Sequence, residues 1–330
     1  MKPPVVILAP NWLGDIIMAL PAMVAVRDGL ASPCIVVARP SVQAIAGRVA
    51  DHVILASRSL IGTLRLIREL RSARPFAVVS FLRSRRAGII AFGSSAPTRV
   101  GWNSGPARAL YSIRAPSARK RIHQSVEYLS LPAAMGLAAP AEWPSADGLG
   151  DAAADAPCIV MAPSAAFGPA KRWPDERYAA LARELHAITG FPIVLTGTAA
   201  ESAAIDVIAR AAGPRVENQA GRTTLSDLAS LLRRARVFVG NDSGAAHLAA
   251  WIGTPVVVVF GSTKPLWTRP MGPRVHVVYR QEPCSPCFAR SCPLGHTNCL
   301  TRIDVDHVLK QCLRMMRGVT PESNPGECTP

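Results

Sequence analysis

The sequence predicts an α/β protein built from two Rossmann-like domains, each a parallel sheet flanked by helices, with the two facing one another across a cleft. Three observations predict it. The chain has 330 residues, too many for one ordinary core and enough for two domains of about 150 residues. Short apolar runs alternate with helical patterns, and this rhythm occurs twice. Between the two occurrences, residues 147–157 are rich in Ala, Gly and Asp and have no periodicity, as a linker would. Domains are therefore expected at 1–150 and 151–318, followed by a Pro-, Gly- and Glu-rich tail at 319–330.

The first half opens with VVILAP at 5–10, which breaks into Asn11-Trp12-Leu13-Gly14-Asp15 before apolar residues return at Ile16, Ile17, Leu20 and Met23. This pattern reads as a buried strand, a tight loop and a helix. Further strands are expected at 34–38, 53–55 and 77–81, with a helix at 61–70 and an apolar helix after the basic turn 83–86. The second half repeats the pattern with strands at 158–162, 192–196, 237–239 and 255–260. Its helices are expected at 174–189, 199–212, 225–233 and 305–317.

Hydrophobic residues make up 49% of the chain and charged residues 18%, a balance that supports real cores and excludes a disordered chain. No stretch approaches the roughly 20 uninterrupted apolar residues of a membrane-spanning helix. The start, MKPPVVILAP, has no basic region leading into an unbroken apolar segment, so the cytoplasm is the expected compartment. A net charge of +15 points to a polyanionic partner. Aromatic residues are only 5% and none interleave with a basic segment, which disfavours nucleic acid.

Chemistry-bearing residues gather at the ends of predicted strands. Asp15, after Gly14, stands at a strand-to-helix turn where a carboxylate can accept a proton from a hydroxyl, although the same position could simply cap the helix. In the second half, Gly240-Asn241-Asp242-Ser243-Gly244-Ala245-Ala246-His247 follows a strand and opens a helix. Small residues at Ser243 and Gly244 allow close approach, and free helix N–H groups suit a pyrophosphate. Asp242 could orient sugar hydroxyls and His247 add a contact; a structural Asn-Asp-Ser-Gly turn is the alternative. FGPAKRWP at 167–174 puts Lys171 where a cation could meet a leaving diphosphate. The loop 261–265, with Thr263, could close over a nucleotide.

Four of the eight cysteines form a Cys-rich insert at 284–299: Cys284, Cys287, Cys292 and Cys299, with His296 among them. In a reducing compartment this spacing suggests a tetrahedral structural zinc site more than stable disulfides, with reduced buried thiols or a reversible disulfide as the other readings.

Two facing Rossmann-like domains form the GT-B plan of nucleotide-sugar transferases, which some epimerases and phosphorylases share. The chain resembles the ADP-heptose:lipopolysaccharide heptosyltransferases, glycosyltransferase family 9, on the heptosyltransferase II side. The resemblance rests on the ordered set Asn-Trp-Leu-Gly-Asp at 11–15, Arg-Val-Gly-Trp at 99–102, FGPAKRWP at 167–174, Ala-Gly-Arg-Thr at 220–223 and the Asp242-Ser243-Gly244 segment with His247. It implies an inverting transfer of heptose from ADP-heptose to the first heptose of the inner core, with Asp15 as general base and no cofactor required for catalysis.

The same resemblance implies that Gly14, Lys171, Asp242, Ser243, Gly244, His247 and Thr263 bind the donor in the second domain and across the cleft. It also places the lipid A–Kdo–heptose acceptor on the first domain, where Arg83, Arg85 and Arg99 would meet its anionic groups. Arg86 and the run 119–121 could do the same or meet lipid head groups; for each of these basic residues a solvated surface position is the alternative. The implied location is cytoplasmic, peripheral at the inner face of the inner membrane. Where relatives often carry an acid before FGPAKRWP this chain has Ala166, so a contact to the donor or to the loop is lost or replaced and the fine donor specificity stays open. The competing readings are a GT-B transferase for another nucleotide sugar, a heptosyltransferase I, or a non-enzymatic polyanion-binding protein. The residues leave the oligomeric state open.

Overall fold

Runs such as VVIL, CIVMA and VVVVF offer no polar face, so they are stable only as strands covered on both sides, the position that a parallel sheet between helix layers provides. The computed structural model describes residues 2–118, 122–150 and 156–319. The basic run 119–121, the middle of the predicted linker and nearly all of the predicted tail lie outside the described residues. The chain divides into two compact units, Met1–Ser145 and Ala146–Pro330.

The first unit runs β1 (Val5–Leu8), α1 (Leu13–Leu30), β2 (Cys34–Ala38), α2 (Gln43–Ala46), β3 (His52–Leu55), α3 (Leu60–Ala73), β4 (Ala77–Ser80), α4 (Arg85–Gly93), β5 (Thr98–Trp102), β6 (Ile113–Ala115) and α5 (Gln124–Ala133). Its sheet is parallel throughout, in the order β3-β2-β1-β4-β5-β6. Strands β1 and β4 at its centre are buried at every residue. One face is covered by α3 and α4, whose Leu66, Leu70, Ala87, Ile90 and Ala91 pack with Val6, Leu8 and Val78. Helix α1 packs against α5. Ser59 and Ser84 cap α3 and α4 by accepting hydrogen bonds from Gly62 N and Ala87 N.

The second unit runs β7 (Cys158–Ala162), α6 (Asp175–Thr189), β8 (Ile193–Leu195), α7 (Ser202–Ala212), β9 (Val216–Asn218), α8 (Leu225–Arg233), β10 (Ala235–Asn241), α9 (Gly244–Ile252), β11 (Val256–Phe260), α10 (Pro265–Thr268), β12 (Val275–Tyr279), α11 (Asn298–Thr301) and α12 (Val305–Met316). Its parallel sheet has the order β12-β11-β10-β7-β8-β9. Counted from the first strand of each unit, the two orders are the same doubly wound arrangement. Residues 146–150 are tied to the second unit because Arg233 donates to the carbonyls of Ala146 (2.6 Å) and Leu149 (3.2 Å).

The architecture is therefore two Rossmann-like units, as the strand-helix alternation predicts. Strands β5, β6, β9 and β12, helix α5 and the short helices α2, α10 and α11 were not anticipated. Both sheets reverse strand order at one point, between β1 and β4 in the first unit and between β7 and β10 in the second. At such a point the loops leaving neighbouring strands diverge to opposite faces and open a crevice, where α/β proteins bind ligands.

Burial sets the expected cost of truncation. Leu185, in the core of the second unit at 0% exposure, should lose about 2–5 kcal/mol as Leu185→Ala. Leu64, on α3 at 67% exposure, should lose less than about 0.5 kcal/mol as Leu64→Ala. Urea unfolding of the two variants against wild type checks both.

Candidate active site

In the second unit, the reversal of strand order brings together segments that are far apart in sequence. Strands β7 and β10 are hydrogen-bonded neighbours, so the loop after β7, which carries Lys171, leaves the sheet beside the turn after β10, which carries Asp242. Lys171 Nζ donates to Asp242 Oδ2 at 2.5 Å, with the two side chains only 11% and 4% exposed. Thr263, in the loop after β11, donates its hydroxyl to the same Asp242 oxygen at 2.7 Å. Three of the residues expected to bind the donor, Lys171, Asp242 and Thr263, thus form one hydrogen-bonded group.

Asn241 anchors the first of these loops. It is fully buried at the end of β10, accepts a hydrogen bond from Trp173 N at 3.0 Å and donates to the Pro163 carbonyl at 2.8 Å. It thereby clamps both ends of the segment that holds Lys171. A backbone approach is equally tight at Gly261, where a Cβ would stand 2.6 Å from the Ala170 carbonyl.

Ser243 occupies the N-cap position of α9 and Gly244 begins the helix, but the Ser243 hydroxyl makes no capping bond. The buried hydroxyl oxygens of Ser164, Ser243 and Ser262 have no hydrogen-bond partner among the described residues. Buried polar atoms are ordinarily paired, so three orphans on the loops around Asp242 mark positions where a polar ligand would satisfy them. His247 is buried one turn into α9. Ala166 lies exposed at the turn before Phe167.

The Cys-rich insert braces these loops. Ala170 N donates to the Arg290 carbonyl at 3.0 Å, and Arg290 Nε donates to the Phe167 carbonyl at 2.7 Å. Phe288 N donates to the Ser262 carbonyl at 2.9 Å, while the Phe288 ring stacks on Trp267 with centroids 4.8 Å apart. Gly168 has φ +148°, and a Cβ there would meet the Arg290 carbonyl at 2.5 Å, so the close approach depends on glycine.

The insert does not supply the expected structural zinc site. Among the described residues, no group of three or more His, Cys, Asp or Glu side chains is arranged to hold a metal ion. Cys284, Cys287, Cys292, Cys299 and His296 line one small cavity, but their thiols serve different surroundings. Backbone amides led by that of Thr297 hold Cys292 below the usual thiol range. Burial, then the neighbouring cysteines, pushes Cys299 up to about 11. Spacing along the chain suggested a common ligand set, whereas the fold commits Cys292 to main-chain N–H groups.

In the first unit, α1 starts after an N-cap at Trp12. Asp15 therefore lies within the first turn of α1, half-buried at its positive end. Gln124 Nε2 of α5 donates to Asp15 Oδ1 at 3.4 Å and to Tyr128 Oη at 2.8 Å. Burial, then the Asp15 carboxylate, holds the Tyr128 phenol well above its usual range, so it stays protonated. Gly14 is buried beside Asp15.

The basic residues expected to meet an acceptor differ among themselves. Arg83 stacks on Trp102 with its guanidinium carbon 3.8 Å from the ring centroid, and it pairs with Glu127 at 2.9 Å. Arg99 donates to the carbonyls of Ala96 (2.6 Å) and Leu110 (3.1 Å), which makes it a brace for the local backbone. The contacts of these two arginines share no residue. Arg85 is exposed in the first turn of α4.

The model of glycosyltransferase family 9 (heptosyltransferase) matches residues 63–298. This chain belongs to that family. It is similar to lipopolysaccharide heptosyltransferase 2 of Escherichia coli K12, at 36% identity over 126 residues that cover 37% of this chain and 36% of the relative. It is similar to lipooligosaccharide heptosyltransferase 2 of Haemophilus influenzae at 34% over 126 residues, covering 37% and 36%. These matched segments span little more than a third of the relatives' own length.

The fold is shared with E. coli ADP-heptose LPS heptosyltransferase II, at a TM-score of 0.81 and 24% identity over 96% of this chain and 99% of that one. It is also shared with E. coli heptosyltransferase WaaC with ADP, at 0.74 and 20% over 95% and 99%.

Two expectations follow for this family 9 chain. Lys171→Met strands a buried carboxylate and should destabilise the second unit by about 3–5 kcal/mol, much of it recovered when Asp242→Asn is added; denaturant unfolding of single and double variants measures this. With iodoacetamide at neutral pH, Cys292 should be alkylated well before Cys34, whose thiol burial pushes up to about 12, and before the buried Cys312. Mass spectrometry of the time course gives the order.

Proposed function

We propose that this protein transfers heptose, with inversion, from ADP-L-glycero-β-D-manno-heptose to the first heptose of the lipopolysaccharide inner core. The observation that carries this reading is the Lys171–Asp242–Thr263 group where strand order reverses in the second unit, on loops that also carry three buried hydroxyls without a partner among the described residues. Membership of family 9 and the similarity to heptosyltransferase 2 proteins support the choice of sugar and acceptor.

In this reading the second unit binds the donor and the first the acceptor. Lys171 and the open N–H groups of α9 at Gly244 meet the diphosphate, where the positive helix end favours negative charge. Ser164, Ser243 and Ser262 hydrogen-bond the donor, Asp242 orients its hydroxyls, and His247, one turn into α9, adds a further donor contact. An acceptor hydroxyl attacks the anomeric carbon. The new carbon–oxygen bond forms as the bond to the diphosphate breaks, ADP departs with the electron pair, and Asp15 takes the hydroxyl proton.

Gln124 and the protonated Tyr128 hold the Asp15 carboxylate in position. Arg85 and the outer edge of Arg83 face the anionic acceptor. Because that acceptor, lipid A–Kdo–heptose, is anchored in lipid, the reaction takes place at the cytoplasmic face of the inner membrane.

The test is ADP release with ADP-heptose and a lipid A–Kdo acceptor bearing one heptose. Release should require that acceptor, and Asp15→Ala should lower kcat by about 10²–10⁴ while donor binding by calorimetry stays within a few fold. Unchanged turnover in Asp15→Ala would remove the base assignment, and release with no added acceptor would remove the transfer itself.

A further inference from the structure

The positive charge of the chain is concentrated in one stretch. Residues 56–126 contain 14 Lys and Arg side chains and a single acid, Glu69. The rest of the chain carries 23 basic and 21 acidic side chains, so this stretch holds 13 of the 15 net positive charges. It includes α3 and α4, which cover the same face of the first sheet and pack against each other through Ile67 and Gly93, with Arg71 Nε donating to the Gly93 carbonyl at 3.2 Å.

Their core sides are filled as expected, but their outer sides are not polar. On α3, Leu60, Ile61 and Leu64 are 84%, 65% and 67% exposed, and on α4 Ile89 and Phe92 are 46% and 59% exposed. Each helix thus has a second apolar face that stays largely exposed among the described residues, with the Arg99 guanidinium 5.6 Å from the Phe92 ring centroid at its edge. Exposed arginines Arg65, Arg68, Arg71 and Arg85 lie on the same two helices.

A scattered exposed leucine is unremarkable, but five large apolar side chains on two adjoining helices, set among arginines, require a partner that is apolar and anionic together. A second copy of this face would bring like charges into contact. A nucleic acid would meet the charge but gain nothing from aliphatic tips, which cannot stack on bases. An anionic bilayer satisfies both demands: head-group phosphates take the guanidinium groups, and the aliphatic ends enter the acyl boundary. Among the described residues no helix is long and apolar enough to cross a membrane, so this contact lies on the surface.

We propose that the outer face of α3 and α4 docks the protein onto anionic phospholipid. The inference rests on the lipid-anchored acceptor of the proposed function for its purpose, and it gives that reading's membrane contact its residues.

The experiment is co-sedimentation of the full chain with vesicles of phosphatidylcholine alone or mixed with phosphatidylglycerol, free of any acceptor, at low and raised salt. Wild type should bind only the anionic vesicles and lose affinity as salt rises. Arg65→Gln with Arg68→Gln should lower the partition coefficient roughly 25-fold, about fivefold for each arginine. Leu60→Gln with Leu64→Gln should lower it at least about tenfold even at low salt.

Both pairs are surface changes that should leave thermal unfolding and transfer to a detergent-free, short-chain acceptor unchanged. Vesicle binding by either pair equal to wild type, or no binding by wild type, would overturn the proposal. So would sedimentation velocity showing that the leucine pair dissociates a wild-type oligomer, which would assign the face to self-association. Loss of transfer activity in wild type itself would count against the proposed reaction and leave the vesicle result standing.

Discussion

The contact on which the second unit's site depends is the ion pair between Lys171 and Asp242. Buried ion pairs are poor sources of stability, because removing two charges from water costs about as much as their attraction returns. This one persists with both side chains almost fully enclosed. Its value lies in position: it ties the loop after β7 to the turn after β10, and Thr263 adds the loop after β11 to the same carboxylate oxygen. Asn241 does the same work one residue earlier with uncharged groups, holding the chain at Trp173 and at Pro163. Together they fix three loops, on which the buried hydroxyls of Ser164, Ser243 and Ser262 have no partner among the described residues.

The insert after β12 extends that constraint outward. It contributes two main-chain bonds, a guanidinium bond and an aromatic stack to the loops carrying Lys171 and Thr263. Cysteines drew attention to this segment in the sequence, but the residues that touch the loops are Arg290 and Phe288, between the cysteines. The insert is thus a wall of the site, and disturbing it would move Phe167, against whose ring both Lys171 and Arg290 rest.

Much of this was legible in the sequence, and the reasons are physical. Strands β1, β7 and β11 are unbroken apolar runs buried on both faces, which no other element can accommodate, so they stand out. Strand β6 is three residues with an arginine at its centre, β12 is interrupted by His276, and α5 carries Pro132 inside it, so none presents a clean period.

Among the candidate functional residues, the motif order singled out Asp15 in the first unit and Lys171 and Asp242 in the second. That Lys171 and Asp242 are partners could not be read, because their contact follows from β7 and β10 being neighbours despite two intervening strands. The bracing by Arg290 was equally hidden, because it joins residues more than a hundred positions apart in sequence. The apolar tips of α3 were hidden for another reason: Leu60 and Leu64 fit a helical pattern as well as Leu66 and Leu70 do, and only the fold decides which side meets the sheet.

The shared strand order of the two sheets gives the same topological address to residues of opposite charge. Following the first strand of one unit, the chain presents a carboxylate, Asp15; following the first strand of the other, it presents an ammonium, Lys171. One scaffold, used twice, thereby sets an acidic side chain and a basic one at equivalent places in two separate sheets, so that each is held by its own unit's core and loops.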